Sequence, residues 1–248
     1  MKTDKLRLPR AALYKPWMAN MDEGWTELVL DNHEFPYQTI TDVEIKAGSL
    51  EDRFDVIILP HQDPGSTING HSQGTMPPAY VGGISPSGAR NLRVFVENGG
   101  TLVTMGSSCD LAIEQFKLPV TNILKSLKPE EFFASGLLVK ITFDQNHPIA
   151  FGMPEEAAGF FAKSPAFQIY PFQEGQNRPE IIGKYAKDNV VLSSWMLGEE
   201  HLKNKAAVLR VSLGRGKVIL LGFRVQHRGQ TVGTFKLLFN SIFSSALK

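Results

Sequence analysis

The residues best placed to do chemistry lie in one short stretch. An apolar run over residues 101–105 meets Gly106, Ser107 and Ser108, and a helical pattern follows at once with Cys109, Asp110 and Leu111. A strand that turns sharply into a helix lifts the residue at its tip toward solvent, which is how hydrolases present a nucleophile. The candidate nucleophiles are therefore Ser107, Ser108 and Cys109. A nucleophile needs a base within hydrogen-bond reach and a third group to orient that base. His227, in Phe223-Arg224-Val225-Gln226-His227-Arg228-Gly229, is the candidate base. Arg228 beside it opposes formation of an imidazolium. A structural reading accounts for the same residues. Ser107-x-x-Asp110 fits a capping box, in which hydroxyl and carboxylate satisfy free amides at a helix start. Cys109 opens the helix and is expected to be buried, the common fate of a lone cysteine. Gly106-x-Ser108-x-Asp110 lacks the second glycine of the hydrolase pattern.

Three further segments could bind a ligand. The loop from Trp17 to Asp22 and Glu23 follows the first strand, at the edge where open α/β sheets place ligands. Trp17 could stack on a ligand, whereas Trp25 sits inside a helical pattern and is expected to pack. The Gly-rich loop over residues 70–83 ends in Gly82-Gly83, but it carries no Gly-Lys-Ser/Thr and is not a phosphate loop. Arg224 and Arg228 could grip a carboxylate through bidentate hydrogen bonds. The expected ligand-binding set is thus Trp17, Asp22, Glu23, Gly82, Gly83, Ser107, Arg224 and Arg228. The six histidines, His33, His61, His71, His147, His201 and His227, lack metal-ligand spacing, so neither a metal nor a cofactor is expected.

Positioning these residues requires a scaffold, and the hydrophobic pattern supplies one. Short strands are expected at residues 10–14, 37–40 and 55–60, with helices at 22–30 and 43–47. A long loop is expected over 61–86, then a helix over 89–98 that stops at Gly99-Gly100. This alternation argues for a doubly wound, mostly parallel sheet, with Leu13, residues 56–59 and residues 102–104 on adjacent parallel strands. After about residue 130 the texture changes. Strands are expected at 137–143, 167–170, 180–185, 190–195, 206–213 and 217–223, with Gly214-Arg215-Gly216 as a hairpin turn. Residues 231–247 carry apolar residues at helical spacing and should close the sheet.

Totals exclude several function classes. The 248 residues carry a formal net charge of +1, with 26 basic and 25 acidic residues, which gives no support for a nucleic-acid partner. One cysteine excludes an intrachain disulfide. No apolar run approaches the roughly 18 residues that span a bilayer, so membrane insertion is not expected. Residues 1–7 lack the apolar core of a signal peptide.

Several segments together resemble a known family. They are Ala12-Leu13-Tyr14-Lys15-Pro16-Trp17-Met18-Ala19-Asn20-Met21-Asp22-Glu23-Gly24-Trp25, Phe54-Asp55-Val56-Ile57-Ile58-Leu59-Pro60, Gly74-Thr75-Met76-Pro77-Pro78 and Tyr80-Val81-Gly82-Gly83. Residues 107–118, Ser164-Pro165-Ala166-Phe167, Gly222-Phe223-Arg224 and Gly233-Thr234-Phe235-Lys236-Leu237-Leu238-Phe239-Asn240 extend the likeness. The chain is similar to class I glutamine amidotransferase-like domains of the type found at the C-terminus of bacterial zinc carboxypeptidase-like proteins. The resemblance implies a three-layer, flavodoxin-like sheet over residues 1–248. That single domain would comprise a βα core to 130, a strand-rich part over 131–230 and a closing helix over 231–248. It also implies an upstream zinc carboxypeptidase domain as partner, and a secreted or periplasmic location if the chain derives from an exported precursor, otherwise a cytoplasmic one. The amidotransferase signature has an acid two residues after its histidine, where this chain has Gly229. No histidine has Glu three residues after it, so the peptidase's own His-x-x-Glu chemistry is absent here. The expected function is a non-catalytic accessory or ligand-binding domain. The alternatives are a hydrolase using Ser107, Ser108 or Cys109 with His227, and an oligomerisation domain.

Overall fold

Strand β1 (Ala11–Tyr14) leads into helix α1 (Met21–Asn32). The alternation continues through β2 (Tyr37–Ile40), α2 (Asp42–Ala47), β3 (Val56–Leu59), α3 (Pro64–Asn69), α4 (Ser85–Glu97), β4 (Thr101–Met105) and α5 (Ser108–Phe116). The second half adds β5 (Val120–Asn122), β6 (Phe133–Ala134), β7 (Leu137–Phe143), β8 (Glu156–Phe161), β9 (Phe167–Ile169), β10 (Glu180–Tyr185), β11 (Met196–Leu197), β12 (Ala206–Leu213) and β13 (Gly216–Leu221), before α6 (Phe235–Ser244). The computed structural model describes residues 7–170 and 179–246.

The main sheet runs β2-β1-β3-β4-β13-β12-β10-β7-β8, with β9 and β5 attached beside β12. Neighbours from β2 to β13 pair in parallel. From β12 outward every pairing is antiparallel. The result is the expected α/β sheet, parallel in its N-terminal half, antiparallel later and flavodoxin-like in layering. Leu13, Ile58 and Val103 lie side by side on β1, β3 and β4.

Continuous apolar strands make sense here because both faces are covered. Side chains alternate across a strand. Leu13, Val56, Ile58, Val103, Ile219 and Leu221 therefore face one core, under Leu30 of α1 and Leu237, Leu238 and Ile242 of α6. Ala12, Tyr14, Ile57, Leu59, Leu102 and Leu220 face the other, under Ile45, Leu92, Phe95, Val96, Leu111 and Phe116 of α2, α4 and α5. Burying each of the Val, Leu, Ile and Phe side chains among them contributes about 1.5–3 kcal/mol.

Several expectations need correction. The loop over 61–86 contains α3, started by Asp63, whose Oδ1 accepts from Ser66 N at 2.8 Å, with Pro64 in the first turn. The helix expected at 89–98 begins earlier, at Ser85. Residues 190–195 do not form a strand. Val191 makes one bridge to Val139, and Ser194 then turns into the left-handed region at φ 64°. Strand β8 went unread because Glu156-Ala157-Ala158-Gly159 has no β-branched residue to signal it. The closing helix starts at Phe235 after a short 3-10 turn, and Leu247 lies outside the described residues, as do residues 1–6.

Candidate functional site

Because β1, β3, β4 and β13 run in parallel, their carboxyl ends open on one edge, and the loops that leave them meet there. The turn after β4 is the expected elbow, but its occupant is not a nucleophile. Gly106 carries the positive φ of the turn, 54°, whereas Ser107 already has helical angles, φ −64° and ψ −23°. The strained position of an elbow is the one that presents a side chain, and here it belongs to glycine. The space above it is filled from the end of β3. A Cβ on Gly106 would lie 2.2 Å from Nδ1 of His61. That nitrogen accepts the Ser107 amide at 3.1 Å, so the ring proton rests on Nε2.

The hydrogen bonds of the three candidate nucleophiles lead elsewhere than to His227. Ser107 Oγ donates to the Lys163 carbonyl at 3.1 Å. Ser108 is buried, donates to the Pro60 carbonyl at 2.5 Å and accepts from Gln62 N at 3.0 Å. Cys109 is fully buried against Thr104, and burial pushes its thiol up, away from thiolate. The expected capping box is absent. Ser107 makes no side-chain cap, because a residue already in helical geometry cannot turn its hydroxyl onto the following amides. Asp110 instead accepts from Asn122 Nδ2 at 3.1 Å.

His227 stacks flat on Phe160, centroids 3.6 Å apart and planes 11° from parallel. Burial, then Arg224 and Arg228, pull it down to about 4. His61 is pulled down to about 3 by burial, then by Arg224 and Lys163. Arg224 thus acts on two imidazoles that stay neutral at pH 7. Its Nε lies 3.7 Å from Asp22 Oδ2, outside hydrogen-bond distance. Burial raises the Asp22 carboxyl, with Arg224 opposing, and burial, then Glu27, push Glu23 up to about 7.

Local sequence explains how α1 brings Asp22 and Glu23 here. Asn20 adopts extended angles and its Oδ1 accepts from Asp22 N at 2.9 Å and Glu23 N at 3.4 Å. Asp42 holds the preceding loop, accepting from Tyr14 Oη at 2.7 Å and from Trp17 N at 2.9 Å. The Trp17 ring meets Tyr80 edge-on at 4.9 Å, and His71 Nε2 approaches the Trp17 carbonyl at 3.4 Å. The loop over 70–83 therefore rests on the Trp17 loop. Its two last glycines serve the loop's own backbone. Gly82 N donates to the His71 carbonyl at 2.8 Å. Gly83 packs on α3, where a Cβ would lie 2.2 Å from the Thr67 carbonyl.

Buried polar atoms usually find partners, yet this edge gathers several without one. Trp17 Nε1, Asn20 Nδ2, Gln62 Oε1, Arg224 Nε and His227 Nδ1 are buried and make no hydrogen bond among the described residues. A cavity of about 300 Å³ opens beside Arg224 and His227, lined also by Met21, Asp22, Trp25 and Arg228. Trp25, expected to pack, forms part of its wall. On the other side of the elbow a second cavity of about 400 Å³ includes Ser107, Asp110, Phe132 and Lys163. Sequence reading missed His61, Lys163 and Phe160. His61 had a signal, since it closely follows the apolar run of β3 and so had to lie at the carboxyl edge. Lys163 and Phe160 had none, because they arrive on β8 and the turn after it.

Among the described residues no three His, Cys, Asp or Glu side chains gather as metal ligands. No helix of the described residues is long and apolar enough to cross a membrane.

The fold has solved counterparts at low sequence identity. A protein of Bacteroides uniformis assigned as ThuA-like is 14% identical, and the match covers 97% of this chain and 92% of that one with a TM-score of 0.53. A protein of Thermoplasma acidophilum assigned as part of a GMP synthase is 8% identical, with 96% and 94% covered and a TM-score of 0.58. A β-galactosidase of Bacillus circulans sp. alkalophilus is 13% identical over 91% of this chain but 30% of its own, with a TM-score of 0.50. No family model and no curated protein matches the chain. At these identities the likeness establishes the fold alone, a flavodoxin-like α/β sheet.

Proposed function

We propose that the chain is a non-catalytic amidotransferase-like domain that binds a ligand or partner at its carboxyl-edge crevice, as an accessory module of a zinc carboxypeptidase-like protein. One observation carries the first part: glycine holds the elbow tip, and the His61 ring occupies the place of a nucleophile's side chain. Ser107, Ser108 and Cys109 are engaged with backbone carbonyls or buried. His227, pulled down to about 4 and stacked on Phe160, is a weak general base near neutral pH. The accessory role draws support from the β-galactosidase, of which the matched fold forms only 30%. The carboxypeptidase link rests on the segment resemblance.

Assays of glutamine, acyl-ester and peptide hydrolysis test the first part. No turnover above background is expected. Turnover by wild type that disappears in Ser107→Ala or His227→Ala overturns it. Sequencing the complete gene product tests the link. An upstream domain with a His-x-x-Glu pair supports it, and a complete product without one removes it.

A further inference from the structure

We propose that the cavity beside Arg224 binds a small organic carboxylate, gripped by Arg224 and Arg228, with Met21 and Trp25 walling its apolar body. This inference deepens the proposed crevice by naming its ligand class. The cavity measures about 300 Å³, the lower end of small-molecule sites, with room for a molecule of amino-acid size. Its charged lining is Arg224, Arg228 and Asp22, with His227 neutral, so it favours an anion. Arg224 is only partly spent: its Nε is buried without a hydrogen bond, and its ion pair with Asp22 is long, at 3.7 Å. A guanidinium in that state is a donor fork waiting for a planar acceptor.

Two features select a carboxylate over a phosphate. The amides at the start of α1, which phosphates favour, are already taken by Asn20 Oδ1. Arg224, Arg228 and Asp22 leave the lining with one net positive charge, which one carboxylate neutralises and a doubly charged phosphate exceeds. The apolar body is read from Trp25 on the wall and from Met21, which is 81% exposed although apolar and stands at the mouth.

The test is calorimetric titration of the wild-type chain with 3-phenylpropanoate, its amide, the dipeptide Gly-Phe, the amide of that dipeptide, and inorganic phosphate. Carboxylate binding in the millimolar range or tighter is expected, roughly tenfold or more weakened in either amide. Arg224→Gln should weaken it about tenfold or more, a loss typical of a charge-assisted hydrogen bond, and Arg228→Gln should weaken it less. Binding of Gly-Phe as well would identify a peptide C-terminus as a source, and binding of the free acid alone would identify a small acid. In the wild type, the carboxylate should also shift the Arg224 Nε–H resonance, a readout that does not depend on the variant folding. Equal binding of acid and amide, tighter binding of phosphate, an unmoved Arg224 resonance, or no binding up to about 10 mM would overturn the proposal. None of these results bears on turnover, so the non-catalytic reading stands or falls separately.

Discussion

Replacing Gly106 by alanine would put a methyl group 2.2 Å from His61 Nδ1, on a backbone at φ 54°. The strain and the clash should together cost more than about 1 kcal/mol. Removing the ring relieves the clash, so Gly106→Ala with His61→Ala should be less destabilised than the sum of the singles, by about 0.5–3 kcal/mol. Denaturant unfolding of the four proteins measures this, and additivity would mean that the ring does not fill the tip. His61 also sets an acid sensitivity. Its folded value of about 3 lies below the ordinary imidazole value of 6.5, so the unfolded chain takes up a proton that the folded one refuses. Its contribution is full above about pH 6.5 and is lost as the pH falls toward 3. His227, at about 4, has the same sign. Glu23, at about 7, has the opposite one, since its cost grows as the pH rises from the ordinary carboxyl range. The stability gap between wild type and His61→Gln should therefore shrink between pH 7 and pH 4.5 in unfolding titrations. A constant gap would contradict the neutral His61. At this scale the candidate residues were legible in the chain but their pairings were not, because His61 and Gly106 meet across a long stretch of intervening chain.

Helix starts separate what local spacing can say from what it cannot. Asn20 and Ser107 both precede helices with an acid in the first turn, the pattern of a cap. Asn20 has extended angles and caps α1, while Ser107 lies at φ −64° and does not cap α5. Asn20→Ala should cost about 1 kcal/mol, the usual loss of an N-cap. Ser107→Ala should cost less than about 0.5 kcal/mol, since only an exposed bond to the Lys163 carbonyl is lost. Thermal unfolding of the two variants checks the order, and equal losses would restore the capping reading. The elements of the parallel half were legible because burial on both faces makes β1, β3 and β4 apolar with little interruption. Strand β8 and the irregular run after Val190 were not, because one lies at the sheet edge and the other ends in a left-handed serine.

Across the whole molecule, parallel strands bring four loops to one edge, and that placement assembles the crevice from residues 17–25, 61–62, 106–108 and 224–228. Trp17, Asp22 and Arg224 could be picked out in advance from the rule that open sheets bind ligands at their carboxyl ends. Phe160 and Lys163, which border the crevice from β8 and the turn after it, could not, since an antiparallel extension folds them in from a distant part of the chain. The proposed non-catalytic reading rests on glycine, rather than a nucleophile, at the turn after β4. The measurement that tests this most directly is the intact mass of the native chain after incubation with a fluorophosphonate and, separately, with iodoacetamide. No adduct on Ser107, Ser108 or Cys109 is predicted in the native state, with Cys109 alkylated only once denaturant has unfolded the chain. A stoichiometric native adduct on any of the three, lost in His227→Ala, would contradict the account.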